Sequence, residues 1–120
     1  MAKVFIQENE QDILEILCIA LQLENVETYA VLGYDVDFIG LINRFKPHVA
    51  ILDYRLDGKE CMQVAKMLKK TYPTLPLIAS SCNAKIDEDY CRYGFDGYLS
   101  KPFDLECLYQ TLKNFINSAY

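Results

Sequence analysis

The stretch His48-Val49-Ala50-Ile51-Leu52-Asp53 is an unbroken apolar run that ends on a carboxylate. A strand buried on both faces reads this way, because a parallel sheet covered by helices leaves neither side of its strands to water. Ligands of open α/β sheets bind in the crevice beyond the carboxyl ends of the strands. A carboxylate in that place is a site candidate before it is a surface charge. The run Lys3 to Gln7 closes in the same manner on Glu8-Asn9-Glu10, Leu75 to Ala79 closes on Ser80-Ser81, and Phe95 to Leu99 leads into Ser100-Lys101-Pro102-Phe103. Four strands therefore bring an acid and amide pair, a carboxylate, a hydroxyl and a lysine to one sheet edge.

Helical patterns fill the intervals. Ile13, Leu14, Ile16, Leu17, Ala20 and Leu21 predict a helix over about Gln11–Leu23. Val26–Val31 predicts a short second strand, Val36–Phe45 a second helix closed off by Pro47, and Lys59–Thr71 a third helix. Ile86–Tyr93 is a short helical candidate with acids at its start and Gly94 as its stop. Asp104 is placed to cap a last helix whose Leu105, Leu108, Leu112 and Phe115 share a face. The result is (βα)5, a five-stranded parallel sheet covered on both faces, doubly wound through right-handed crossovers.

At 120 residues the chain reads as one domain, 1–120, with a single core. No apolar stretch reaches the length of a bilayer span and no signal-peptide pattern opens the sequence, so the expected location is cytoplasmic. Cys18, Cys61, Cys82, Cys91 and Cys107 are odd in number and form no Cys-x-x-Cys, which suggests neither a disulfide framework nor a thiolate zinc site. A net charge of −5 argues against direct nucleic acid binding, where clustered Lys and Arg must neutralise phosphates. An acidic sheet edge suits a divalent cation.

With Glu8-Asn9, Asp53, Ser81 and Lys101-Pro102-Phe103 in this order and spacing, the chain resembles the receiver domain of two-component response regulators over essentially its whole length, Lys3 to Phe115. The resemblance implies a flavodoxin-like three-layer fold of strand order 2-1-3-4-5. It implies a regulatory domain rather than an enzyme, of bacterial origin, with Asp53 as phosphoacceptor. Lys101 and the Ser81 hydroxyl would contact phosphoryl oxygens, and Mg2+ would be held by Asp53, Asn9, Glu8 through water, and the backbone carbonyl of Arg55. Ser80 is the alternative hydroxyl, since neighbouring strand residues face opposite ways. Family precedent makes Lys101-Pro102 a cis bond. Ser81 and Tyr98 would form the switch, and the face of the fourth helix, fifth strand and fifth helix would bind an output domain, a partner protein or a second copy. The phosphodonor would be a sensor histidine kinase or a histidine phosphotransfer protein.

Three departures are visible. Asn9 stands where the family usually has a second carboxylate, which removes a formal charge from the metal site. Arg55 is expected to reach toward Glu8, because a guanidinium fork suits a carboxylate. The segment between Ser81 and Lys101 is slightly short for the family. These feed an alternative reading, a phosphorylation-independent pseudo-receiver that acts as an interaction module. A flavin-binding protein would want a Ser/Thr/Gly-rich phosphate loop after strand one, and Gln7-Glu8-Asn9-Glu10 is not one. A dehalogenase-type phosphatase would want an acid where Arg55 stands.

Overall fold

The structure, a computed structural model, describes residues 1–55, 58–82 and 86–116. Five strands alternate with five helices: β1 Lys3–Glu8, α1 Gln11–Leu23, β2 Glu27–Leu32, α2 Phe38–Phe45, β3 Val49–Asp53, α3 Lys59–Thr71, β4 Leu77–Ser81, α4 Ile86–Asp89, β5 Gly97–Ser100 and α5 Leu105–Ile116. All strand pairings are parallel and the order is β2-β1-β3-β4-β5. The flavodoxin-like (βα)5 expectation is met, with both faces of the central strands β1, β3 and β4 buried.

Alternation along each strand sends side chains into two cores. Val4, Ile6, Val49, Ile51, Ile78 and Leu99 pack with α1 and α5. Phe5, Ala50, Leu52, Leu77 and Ala79 pack with α2 and α3. All five residues of β3 are buried, which explains why its sequence is an uninterrupted apolar run.

Several element ends differ from the sequence expectation for local reasons. Strand two is displaced by one residue, because the Val26 N–H is used to close the turn after α1 on Leu21 O (3.0 Å). Asp37 caps α2 by accepting the Gly40 N–H (3.1 Å), so that helix begins at Phe38 and not at Val36. Leu75 and Phe95 precede their strands, their N–H groups bonded into turns on Tyr72 O and Tyr90 O. The fourth helix is regular only over Ile86–Asp89, after which turn hydrogen bonds carry the chain to Gly94 at φ +91°. Asp104 does cap α5, its Oδ1 accepting the Cys107 N–H at 2.7 Å. The Lys101-Pro102 peptide is cis, as family precedent implies.

Candidate functional site

The carboxyl ends of β1 and β3 lie side by side in the middle of the sheet, and this placement brings Glu8, Asn9 and Asp53 together. Glu8 is 1% exposed and Asp53 5%. Two carboxylates removed from water need compensating donors. Lys101, which follows β5, supplies most of them: its Nζ lies 2.9 Å from Asp53 Oδ1, and 3.1 and 3.3 Å from Glu8 Oε2 and Oε1. Asn9 adds two more. Its backbone N–H donates to Glu8 Oε1 (2.9 Å) and its side-chain Nδ2 donates to Asp53 Oδ2 (2.7 Å).

Burial pushes the Glu8 carboxyl above its ordinary range, and the nearby Asp53 charge adds to this; the Asn9 N–H and the Lys101 ammonium oppose the shift without cancelling it. For Lys101, burial alone would lower the ammonium, but its hydrogen bonds and charge contacts with Asp53 and Glu8 outweigh that and raise it. With both carboxylates ionised, one ammonium leaves this trio one formal negative charge in excess.

The expected pairing of Arg55 with Glu8 is not formed. Arg55 is exposed, and Lys101 takes the place beside Glu8 because its stem reaches the buried cluster from the far side of β4. The Arg55 carbonyl accepts the Gly58 N–H at 2.9 Å. Ser81 ends β4 and is buried; its carbonyl accepts the Lys101 N–H at 2.7 Å. Ser80, one residue earlier, stands in register with Asp53. Tyr98 points outward from β5, 37% exposed, with its ring centroid 5.1 Å from that of Tyr90.

Two residues that sequence reasoning passed over fix the backbone of Asp53. Gln7, 1% exposed, accepts the Asp53 N–H on Oε1 (2.9 Å) and donates from Nε2 to Gly33 O (3.0 Å). Tyr34 donates its hydroxyl to the Asp53 carbonyl. Gln7 did leave a signal, since an amide directly after the apolar run Val4-Phe5-Ile6 must find partners if buried. Tyr34 left none, because nothing in the sequence places a loop tyrosine against a distant strand end.

The donor set suits a hard divalent cation. Carboxylates of Glu8 and Asp53 and a carboxamide oxygen from Asn9 are oxygen ligands of the kind Mg2+ prefers. The excess negative charge and the raised Glu8 carboxyl are what such an ion would relieve. Among the described residues no group of three or more His, Cys, Asp or Glu clusters for a metal, so the charge of the site is lower than a three-acid site would give.

Known structures share this architecture. NtrX from Brucella abortus, solved in complex with ADP, is similar at 25% identity with a TM-score of 0.84, over 99% of this chain and 27% of that one. The chain thus spans about a quarter of NtrX. TrrA from Thermotoga maritima, solved in complex with Mg2+-BeF, matches at 21% identity and a TM-score of 0.82, over 96% of this chain and 99% of that one. The chemotaxis response regulator CheY4 of Vibrio cholerae matches at 20% identity and a TM-score of 0.82, over 96% and 98%. The family described as the response regulator receiver domain matches residues 4–113, and with the sheet order and the Glu8, Asn9, Asp53 and Lys101 cluster in place, the chain belongs to that family.

Proposed function

We propose that this receiver domain takes a phosphoryl group onto Asp53 from a phosphohistidine of a sensor histidine kinase or phosphotransfer protein. The observation that carries the reading is the Lys101 ammonium 2.9 Å from Asp53 Oδ1 in a buried carboxylate cluster. A carboxylate is a competent acceptor when the charge on the transferred group is neutralised. The Asp53 oxygen forms the new O–P bond as the N–P bond of the donor breaks, and the imidazole leaves with that electron pair. Asp53, Glu8, Asn9 and the Arg55 carbonyl would hold Mg2+, which supplies charge neutralisation for the phosphoryl oxygens. Lys101 neutralises a further oxygen, and the Ser81 hydroxyl donates to another.

The aspartyl phosphate then biases a two-state element, for which Ser81 and Tyr98 are the proposed parts. Tyr98 lines a groove of about 690 Å³ between β5, α5 and the turn that follows α4, lined also by Tyr90, Phe103 and Phe115, and the α4, β5 and α5 face that holds it is the proposed output face, whether for an output domain, a partner protein or a second copy. TrrA's complex with Mg2+-BeF supports the metal assignment by analogy, and NtrX, a chain nearly four times longer, supports the idea of a linked output region. Among the described residues no helix is long and apolar enough to cross a membrane.

The deciding experiment is intact mass after incubation with acetyl phosphate, with and without Mg2+, on the wild type and Asp53→Ala. A single phosphoryl adduct that needs both Mg2+ and Asp53 is expected. No adduct at any Mg2+ concentration in folded protein would leave the pseudo-receiver as the reading, with Asn9 and the Lys101–Glu8 ion pair as the reason.

A further inference from the structure

Ser80 is 1% exposed, and its hydroxyl oxygen has no hydrogen-bond partner. A buried hydroxyl without a partner is costly, so its presence calls for a reason. Its place in the sheet suggests one. Ile78, two residues earlier on β4, packs in the core under α1 and α5, whereas Leu77 and Ala79 pack in the opposite one. Alternation therefore turns Ser80 to the α1–α5 face. Ile51, two residues before Asp53, and Leu99, two before Lys101, belong to that same core. Ser80 is paired in register with Asp53 on one side and with Leu99 on the other. Lys101 follows β5 and Asp53 ends β3, so the lysine stem must cross the end of β4 to make its 2.9 Å contact. The residue on that face at that level of β4 is Ser80.

Lys101 now divides its donors between Asp53 and Glu8. It cannot keep Glu8 once a divalent cation shares the two carboxylates, because like charges repel at that distance in a poorly solvated site. An ammonium carries three donors; of the two that now face Glu8, the phosphoryl oxygen takes one and the other needs a new acceptor. We propose that Ser80 is a positioning residue for Lys101, its hydroxyl being the acceptor that the ammonium takes up on leaving Glu8. The empty hydroxyl of the resting state is then a feature of the switch: its cost falls on the unloaded form and is relieved in the loaded one. This inference rests on the phosphoacceptor reading, and it assigns a second hydroxyl beside Ser81, not a replacement for it.

The test compares wild type, Ser80→Ala and Ser80→Thr by thermal unfolding, alone and in a titration with Mg2+ and beryllofluoride. Ser80→Ala is expected to melt at or above the wild-type temperature when unliganded, since an unpaired hydroxyl is removed. Its apparent affinity for Mg2+-beryllofluoride is expected to fall by about tenfold, the scale of one hydrogen bond to a charged group. Ser80→Thr keeps the hydroxyl and is expected to recover most of that affinity, a result that a space-filling role for Ser80 would not produce. An affinity for Ser80→Ala within about twofold of wild type, with wild type itself responding, would overturn the role of Ser80 and leave the phosphoacceptor reading intact. A wild type that does not respond to Mg2+-beryllofluoride would overturn both.

Discussion

Asn9 donates its side-chain N–H to Asp53 Oδ2 at 2.7 Å, so a carboxamide stabilises the buried Asp53 carboxylate where a second acid would repel it. The cluster gains a hydrogen bond and carries one formal negative charge fewer than it would with an acid at residue 9. Asn9→Asp reverses both. Mg2+ affinity should rise by about tenfold or more, since a formal negative charge is added at a proposed ligand position. The metal-free fold should lose about 2 kcal/mol, from the lost hydrogen bond and the added like charge. Calorimetric Mg2+ titration, with denaturant unfolding in EDTA, reads both effects; unchanged Mg2+ affinity would mean that residue 9 does not face the ion.

Lys101 is the principal counter-charge of the cluster, and Lys101→Met should expose how much the site depends on it. Breaking a buried ion pair by removing one partner costs about 3–5 kcal/mol, because the carboxylates left behind are uncompensated. The sign of the pH dependence follows from Glu8. Its carboxyl is raised above the ordinary 4.5, so its contribution to stability is fully present below 4.5 and is lost as pH rises through the higher folded value. Without Lys101 that folded value climbs further, and the deficit of the variant relative to wild type should shrink as pH falls from neutrality toward 4.5. The wild type has a second limb of the same sign at alkaline pH: the Lys101 ammonium is raised above 10.5, so the stability it contributes is complete below 10.5 and is lost as pH rises through the higher folded value. Urea midpoints across pH test both limbs, and a pH-independent deficit for Lys101→Met would contradict the assignment.

Gln7 shows where a strand reading stops short of its site. Gln7→Leu keeps roughly the volume and removes an acceptor for the Asp53 N–H and a donor for Gly33 O. Two backbone groups in a buried setting lose their partners, so the expected loss is about 2–4 kcal/mol. Phosphorylation by acetyl phosphate should slow as well, because the Asp53 backbone is no longer tied to β1. A stability loss without any change in phosphorylation rate would confine Gln7 to a packing role.

The fold was legible because its signals are local. Val49–Asp53 reads as a strand buried on both faces, and the α1 and α5 patterns have the helical period over more than two turns. Element ends were less legible, since Leu75 and Phe95 continue an apolar run yet spend their N–H groups on turns. The cluster was legible as a list of strand-end residues and not as a network. Arg55 and Lys101 are equally cationic in sequence, and only the β3-β4-β5 order determines that the lysine stem lies across the site while Arg55 turns to solvent. Tyr34 is joined to Asp53 by a contact between residues 19 apart, which periodicity does not encode.

The cysteines separate by the same burial logic. Cys82, Cys91 and Cys107 are exposed, whereas Cys61 is buried in the first turn of α3. Burial pushes the Cys61 thiol up to about 12, and the nearby Asp53 charge adds to the shift. The thiolate is the reactive form, so iodoacetamide at pH 8 should modify the three exposed cysteines of native protein and spare Cys61. The thiol's ordinary value of 9.0 lies below its folded value, so the stability it contributes is complete below pH 9.0 and declines as pH rises toward about 12. Tyr34→Phe removes the hydroxyl that the Asp53 carbonyl accepts, at an expected cost of about 1 kcal/mol. Peptide mapping after alkylation checks the pattern. Rapid labelling of Cys61 in the folded Tyr34→Phe variant would mean that Tyr34, and not burial, shields the thiol.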